Sequence, residues 1–326
     1  MLYFRFPDSD KFYTTDDDNS ELNVSFVSFD RKKELDFKGN LIEISAEEIA
    51  EEDFVPKSKK DRIELYKDTE DTYSRKVVQA VDYIKANQLR KLVISRGKIL
   101  MYTDISHDKK LALGKSFLQF CENYPNAFCY LFEKDSQCWM GGFSEVLGKY
   151  NKKTNAFETM SLAGTMPVDE AWTEKEIEEQ KPVTDYVQSV LKRFAVDISV
   201  SKVQDHVSGN IKHLRTDFKA TVYPQDLENL IRELHPTPAV CGFPKDVCMQ
   251  GIKIIEFNSR EFYSGYIKVE TEDEVYFFVN LRCAEFFKSY AILYVGGGIT
   301  EKSDPKQEWK ETELKSLAIQ NNLVFD

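Results

Sequence analysis

The order of the strand and helix signals limits the fold of this chain more than any single motif. Strand-like segments follow one another directly in groups: LYFRF and LNVSFVSF near the start, FCYLFE and CWMGGFSEVLGKY in the middle, IKVETEDEVYFFVNLRCAEFF and YAILYVGGGI towards the end. Helical patterns fall between the groups, at TYSRKVVQAVDYIKANQ, at LALGKSFLQFCENYP and from about Thr173 to Phe194. Adjacent strands grouped in this way, with helices between the groups, predict an α+β fold with mainly antiparallel sheets.

With 326 residues, 42% of them hydrophobic and 13% aromatic, the chain has ample material for a core and is too apolar for disorder. A formal charge of -11 argues against nucleic acid as the main partner, because phosphate backbones require clustered Lys and Arg. Apolar runs fall far short of a membrane span, and Arg5, Pro7 and Asp8 interrupt any signal-peptide core. Cys121, Cys129, Cys138, Cys241, Cys248 and Cys283 lack CxxC spacing and sit mostly in apolar stretches, as buried reduced thiols do. Four histidines form no HExxH and no His/Cys cluster. These features predict a cytoplasmic protein without zinc or haem.

Two helices carry carboxylates on an unexpected face. SDPKQEWKETELK begins like a helix, with Asp304 as N-cap, Pro305 at the first helical position and Gln307 closing a capping box. At 100° per residue, Glu308, Glu311 and Lys315 share a stripe with Thr312, Ala318 and Ile319, flanked by Leu314, while Lys306, Lys310 and Glu313 lie opposite. In TEKEIEEQKPVTDYVQSVLKRF, Glu176 and Glu179 share a face with Val183, Tyr186, Val187 and Val190. Carboxylates brought together away from water repel unless protonated or neutralised, and an oxygen-only ligand set that leaves room for water suits Mg²⁺. Two solvated helix flanks fit the same pattern.

Strand alternation in KLVISR puts Lys91, Val93 and Ser95 on one face and Leu92, Ile94 and Arg96 on the other. A lysine in such a strand either snorkels to solvent or serves as a desolvated base. Glu145, among Phe143, Val146 and Leu147, is either a proton donor or a solvated strand end. In ELHPTPAVCGFP, Pro236 and Pro238 make a rigid turn that fixes His235. Arg260 and Arg282 lie in aromatic or apolar segments, where a guanidinium requires a carboxylate from protein or substrate. GGGIT matches neither GxGxxG nor a P-loop.

Taken in order, KLVISR, FSEVL, SLAGTMP, EKEIEEQ, ELHPTPAVCGFP, REFYSGY, NLRCA, VGGGI and SDPKQEWKET resemble the chorismate-utilising enzymes, and among them the isochorismate-forming members of menaquinone or siderophore pathways. The resemblance covers residues 71 to 326 as the catalytic region, with residues 1 to 70 a variable, shortened part of a single domain. It implies two stacked antiparallel sheets, helices outside and an active site in the central cleft. It further implies a monomeric isomerase in which Mg²⁺, held by Glu179 and Glu311 with Glu176 and Glu308 beside them, clamps the ring carboxylate of chorismate. Lys91 would activate water for attack at C2, and Glu145 would protonate the departing C4 hydroxyl. Tyr263, Arg282 and Lys315 match substrate-carboxylate contacts; Gly164, Thr165, Gly296 and Gly298 match pocket backbone, and His235 a positioning residue. Lys91 where anthranilate synthases have Gln, and Ala163 where aminodeoxychorismate synthases have Lys, favour water over ammonia. Salicylate synthases, which go on to eliminate pyruvate, and an inactive metabolite-binding relative remain alternatives.

Overall fold

A computed structural model describes residues 1–16, 18, 23–58, 61–105, 109–208 and 211–326, with the side chains of Asp61, Asp104, Thr165, Lys175, Glu179 and Ser208 outside the described set. Its strands are β1 (Leu2–Arg5), β2 (Phe12–Thr15), β3 (Asn23–Val27), β4 (Glu34–Lys38), β5 (Leu41–Ile44), β6 (Lys91–Met101), β7 (Phe128–Lys134), β8 (Gln137–Phe143) and β9 (Val146–Asn151). They continue with β10 (Ala156–Pro167), β11 (Val196–Val200), β12 (Gln204–Ser208), β13 (Ile211–Thr221), β14 (Gly242–Phe243), β15 (Tyr266–Glu270), β16 (Glu274–Val279), β17 (Cys283–Phe286) and β18 (Tyr290–Ile299). The helices are α1 (Ala46–Glu51), α2 (Asp61–Tyr66), α3 (Glu70–Asn87), α4 (Leu113–Asn123), α5 (Glu174–Phe194), α6 (Pro224–Leu234), α7 (Lys245–Ile255) and α8 (Pro305–Gln320).

One sheet has the order β14-β6-β18-β17-β8-β7-β1-β2-β5, and the other β11-β13-β10-β9-β16-β15-β3-β4 with β12 paired to β13. Among the described residues the pairings between strands are antiparallel, as expected for strands that follow one another without crossover helices. Aromatic side chains hold the two sheets face to face. The Phe26 ring of β3 lies 4.6 Å from Phe132 of β7, and Phe128 of β7 stacks at 4.3 Å on Phe278 of β16. Each such fully buried side chain stabilises the fold by about 1.5–3 kcal/mol. Outer faces are covered by helices: α1, α4 and the end of α8 on the first sheet, α5 and α6 on the second, α3 and α7 over β6. This is the stacked-sheet α+β architecture that the resemblance implies. All six cysteines are free and buried.

The first 45 residues feed both sheets. β1 lies between β7 and β2 in one, and β3 pairs with β15 in the other. No helix among the described residues is long and apolar enough to cross a membrane.

Candidate active site

A cavity opens between the two sheets where β6, β18 and α8 of one side meet β10, β13 and α5 of the other. Lys91 and Val93 of β6 line it, on the face that alternation assigns them, while Leu92 and Ile94 point into the core under α3 and α7. Ser95 does not reach the cavity wall; its N–H and hydroxyl donate to Glu256 at 2.7 and 2.9 Å. Glu256 is also the carboxylate that Arg260 requires, paired with it at 2.6 and 2.9 Å. Arg260 further donates to the carbonyls of Val93 and Val240 at 2.8 Å each, so this buried pair fixes the strand bearing Lys91.

Three successive glycines of β18 admit the chemistry from the other side. A Cβ on Gly298 would stand 2.1 Å from Lys91 Cε and 2.8 Å from its Nζ. One on Gly296 would meet the Ile94 carbonyl at 2.7 Å and the Tyr263 hydroxyl at 3.0 Å, and one on Gly297 would come within 3.1 Å of Glu308 Oε2. GGGIT is therefore a close-approach surface rather than a phosphate loop. Replacing Gly298 by alanine is expected to displace the Lys91 side chain and lower kcat by about 10²-fold, near the lower bound for losing a positioned proton-transfer group. A Gly298→Ala enzyme turning over at the parent rate would contradict that geometry.

Glu145 lies across the cavity and is only 3% exposed. Burial pushes its carboxyl up to about 8, against the opposing pull of Lys91 and the Thr237 hydroxyl. The solvated strand-end alternative for Glu145 does not hold. His213 of β13, which the motif reading passes over, also lines the cavity. Its Nδ1 lies 2.8 Å from the Gly164 carbonyl and, since a carbonyl only accepts, carries the proton; burial holds the imidazole neutral, with its pKa at about 3. Gly164 has φ +72°, a left-handed conformation that sets its carbonyl for this bond.

The carboxylate helices approach from two sides. Asp304 caps α8 by accepting from the Gln307 N–H at 2.9 Å, with Pro305 at the first position. Glu308, Glu311 and Lys315 line the cavity; Glu308 accepts from the Ser303 hydroxyl at 2.7 Å, and Lys315 pairs with Glu311 at 2.6 Å and donates to the Gly296 carbonyl at 3.0 Å. Two expectations for α8 need correction. Glu313 is not on a free solvent face, because it pairs with Arg96 and, at 2.8 Å, with Lys98 of β6. Leu314 is 67% exposed rather than flanking the buried stripe. Arg96 also donates to Thr312 at 2.8 Å and lies 3.8 Å from the Trp309 ring, so charge pairing and cation–π contact dock the helix. On α5, Val183, Tyr186, Val187 and Val190 are buried as predicted. Glu176 lines the cavity and doubles as the helix cap, its Oε2 accepting from both the N–H and the hydroxyl of Thr173.

Gly164, Tyr263, Arg282, Gly296 and Gly298 line the cavity as well. The Arg282 guanidinium lies 4.9 Å from the Phe143 ring. The side chains of Thr165 and Glu179 lie outside the described residues. His235 is placed differently from the expectation of a pocket residue. It is buried behind the wall, its Nε2 3.1 Å from the Phe29 carbonyl and its ring 5.0 Å from Tyr266, and desolvation lowers its pKa to about 3. From there it braces the turn whose Ala239 and Val240 reach the cavity.

A cavity between stacked antiparallel sheets, lined by a lysine, a buried glutamate and carboxylate-bearing helices, defines the class. The chain matches the family described as chorismate binding enzyme over residues 12–324, and it belongs to that family. Isochorismate synthase MenF of Haemophilus influenzae is 28% identical over 268 residues, 77% of this chain and 60% of the relative. Isochorismate synthase EntC of Escherichia coli is also 28% identical over 268 residues, covering 77% and 66%. The chain thus spans less than two thirds of the length of these relatives. Among solved structures, the menaquinone-specific isochorismate synthase MenF of Escherichia coli superposes with a TM-score of 0.79 at 19% identity, over 98% of this chain and 88% of that one. Anthranilate synthase component I of Streptococcus pneumoniae gives 0.67 at 19% identity, over 77% and 58%. One fold thus serves relatives with different reactions, and the choice among them rests on the residues of the cavity.

Proposed function

We propose that this protein isomerises chorismate to isochorismate. The observation that carries the reading is the pair of Lys91 and Glu145 on one cavity, with burial keeping the glutamate protonated to about pH 8. Lys91 takes a proton from water as the oxygen bonds to C2, the double bonds of the ring shift, and Glu145 gives its proton to the C4 hydroxyl, which leaves as water. One water enters and one leaves, so the product is an isomer. Lys91 and Ala163 both line the cavity, and no ammonia-handling lysine stands at 163. Tyr263, Arg282 and Lys315 bind and orient the substrate carboxylates, while Gly164, Gly296 and Gly298, with Thr165, shape the cavity backbone.

The donor set also fits a cation. Glu176, Glu308 and Glu311 offer carboxylate oxygens alone, which suits a hard divalent ion. Among the described residues no three His, Cys, Asp or Glu side chains are gathered into a ready-made metal cluster. Glu179, one turn beyond Glu176, completes the proposed set, in which bound Mg²⁺ would neutralise the carboxylates and receive the ring carboxylate of chorismate. The menaquinone-specific relative supports menaquinone biosynthesis as the destination of the product, with a siderophore pathway as the alternative.

The decisive experiment is incubation with chorismate and Mg²⁺ followed by separation of products. Isochorismate should form, activity should vanish with chelator, and Glu311→Gln should raise the Mg²⁺ requirement. Salicylate and pyruvate appearing as fast as chorismate disappears would instead identify a salicylate synthase. Anthranilate formed on adding ammonium would overturn water as the nucleophile.

A further inference from the structure

The cavity wall made by Tyr294 and Tyr263 is held from behind by a residue of the N-terminal segment. Tyr294 lines the cavity and lies between two near-parallel rings, Trp139 at 5.0 Å and Tyr263 at 6.1 Å. Behind it sits Arg62 of α2. Its guanidinium pairs with Glu285 of β17 at 3.1 Å and with Glu261 at 3.5 Å, donates to the Tyr66 hydroxyl at 3.1 Å and reaches the Tyr294 hydroxyl at 3.5 Å. The Tyr294 hydroxyl in turn donates to Glu285 at 3.5 Å. Glu261, in a left-handed backbone conformation with φ 51°, stands two residues before Tyr263 and also pairs with Lys33, which precedes β4. One cation thus ties together the strand carrying Tyr294, the neighbouring strand and the turn carrying Tyr263. The Glu285 side chain is 1% exposed and that of Glu261 9%, so both depend on protein cations for their charge balance.

We propose that Arg62 is a positioning residue for the substrate-facing Tyr294–Tyr263 wall, through which the N-terminal segment sets substrate affinity. Arg62 touches no reacting atom; it acts by fixing the hydroxyl of Tyr294 and, through Glu261, the turn that presents Tyr263. The inference rests on the chorismate reading for its kinetic consequence, though not for its structural one. Charge balance alone predicts that a neutral pair at 62 and 285, with Lys33 still paired to Glu261, works as well as the native one. Positioning predicts that it does not, because the fork that aims at Tyr294 and Glu261 together is gone.

The test compares Arg62→Lys, Arg62→Met and the double variant Arg62→Met/Glu285→Gln by thermal melting, tryptophan emission and chorismate kinetics. In the double variant, relief of the uncompensated Glu285 should return the melting temperature close to the parent value. Its KM for chorismate should nevertheless stay about 10-fold raised with kcat within threefold, and its emission should shift as the ring stacked on Trp139 loosens. Arg62→Lys should recover part of the KM and of the emission. A double variant with parent KM and parent emission would overturn the proposal and leave Arg62 as a counter-ion. If the parent makes no isochorismate, the proposed function fails on its own, and the emission of the double variant still decides whether Arg62 holds the wall.

Discussion

On the proposed mechanism, Lys91→Ala is expected to lower kcat by about 10²- to 10⁴-fold while chorismate still binds, because the substitution would remove one proton-transfer group and leave the proposed carboxylate contacts intact. The structure narrows the alternatives. Lys91 does not simply snorkel outward, since its Cε and Nζ pack along Gly298 inside the cavity. The strand beneath it is locked by the Arg260–Glu256 pair, so truncating the side chain should not disturb the backbone. Chorismate affinity is measured by calorimetry and turnover by product separation. Near-parent turnover of the alanine variant would remove Lys91 from the mechanism, and equal loss of binding and turnover would make it a substrate contact instead.

Glu145→Gln should lose activity to a similar degree, but with two further signatures that Lys91→Ala lacks. The carboxyl must be protonated to donate, so parent activity should fall as pH rises through about 8, and that limb should be absent from the residual rate of the glutamine variant. The substitution should move stability the other way. In the folded protein the group keeps its proton up to about 8, whereas in the unfolded chain it ionises from its ordinary value of 4.5. Between those values the unfolded state releases a proton that the folded state retains, so this group's contribution to stability is complete below 4.5 and is progressively lost towards 8. Glutamine carries no such penalty. At pH 8 the variant should therefore unfold at higher denaturant than the parent, by a few kcal/mol, and the difference should shrink towards pH 4.5. Equal stability of the two proteins across that range would show that Glu145 ionises normally and is no proton donor.

Much of this arrangement is legible in the sequence because it follows from short-range rules. Alternation in KLVISR assigns Lys91 and Val93 to the cavity face, and Asp304–Pro305 fixes where α8 begins, which in turn aims Glu308 and Glu311. The collinear motifs add the opposing elements, which no periodicity could bring together. What stayed hidden depends on partners distant in sequence. Glu313 looks like a solvent residue until β6 supplies Arg96 and Lys98. His235 looks like a pocket residue because its prolines mark a special turn, yet the turn faces the cavity with Ala239 and Val240, and the imidazole faces Phe29. His213 sits in KHLRTDF, a strand with no local oddity, so its place in the cavity wall beside the Gly164 carbonyl is evident from the fold alone. Helices α6 and α7 are equally hard to read from the sequence. Pro224 at the start of α6 reads equally as the end of a strand, and Gly251 inside α7 weakens its pattern. Arg62 follows the charged run AEEIAEEDFVPKSKKD, in the part of the chain that sequence alone marks as the least functional.

The pairing of β6 bears on how the protein is made. The strand that carries Lys91 bonds along its length to β18, Leu92 to Ile299 and Met101 to Tyr290, with the two-residue β14 on its other side. On the ribosome this eleven-residue strand therefore emerges long before its main partner exists. Pairings so remote in sequence form slowly, and an open strand edge held waiting is a template for association with other chains. Nascent chains halted before Tyr290 would expose that edge, with no glycine rail against which to lay Lys91. Chaperone demand and losses to aggregation should thus concentrate in the interval between synthesis of the two strands, and catalytic competence should arrive abruptly rather than in stages.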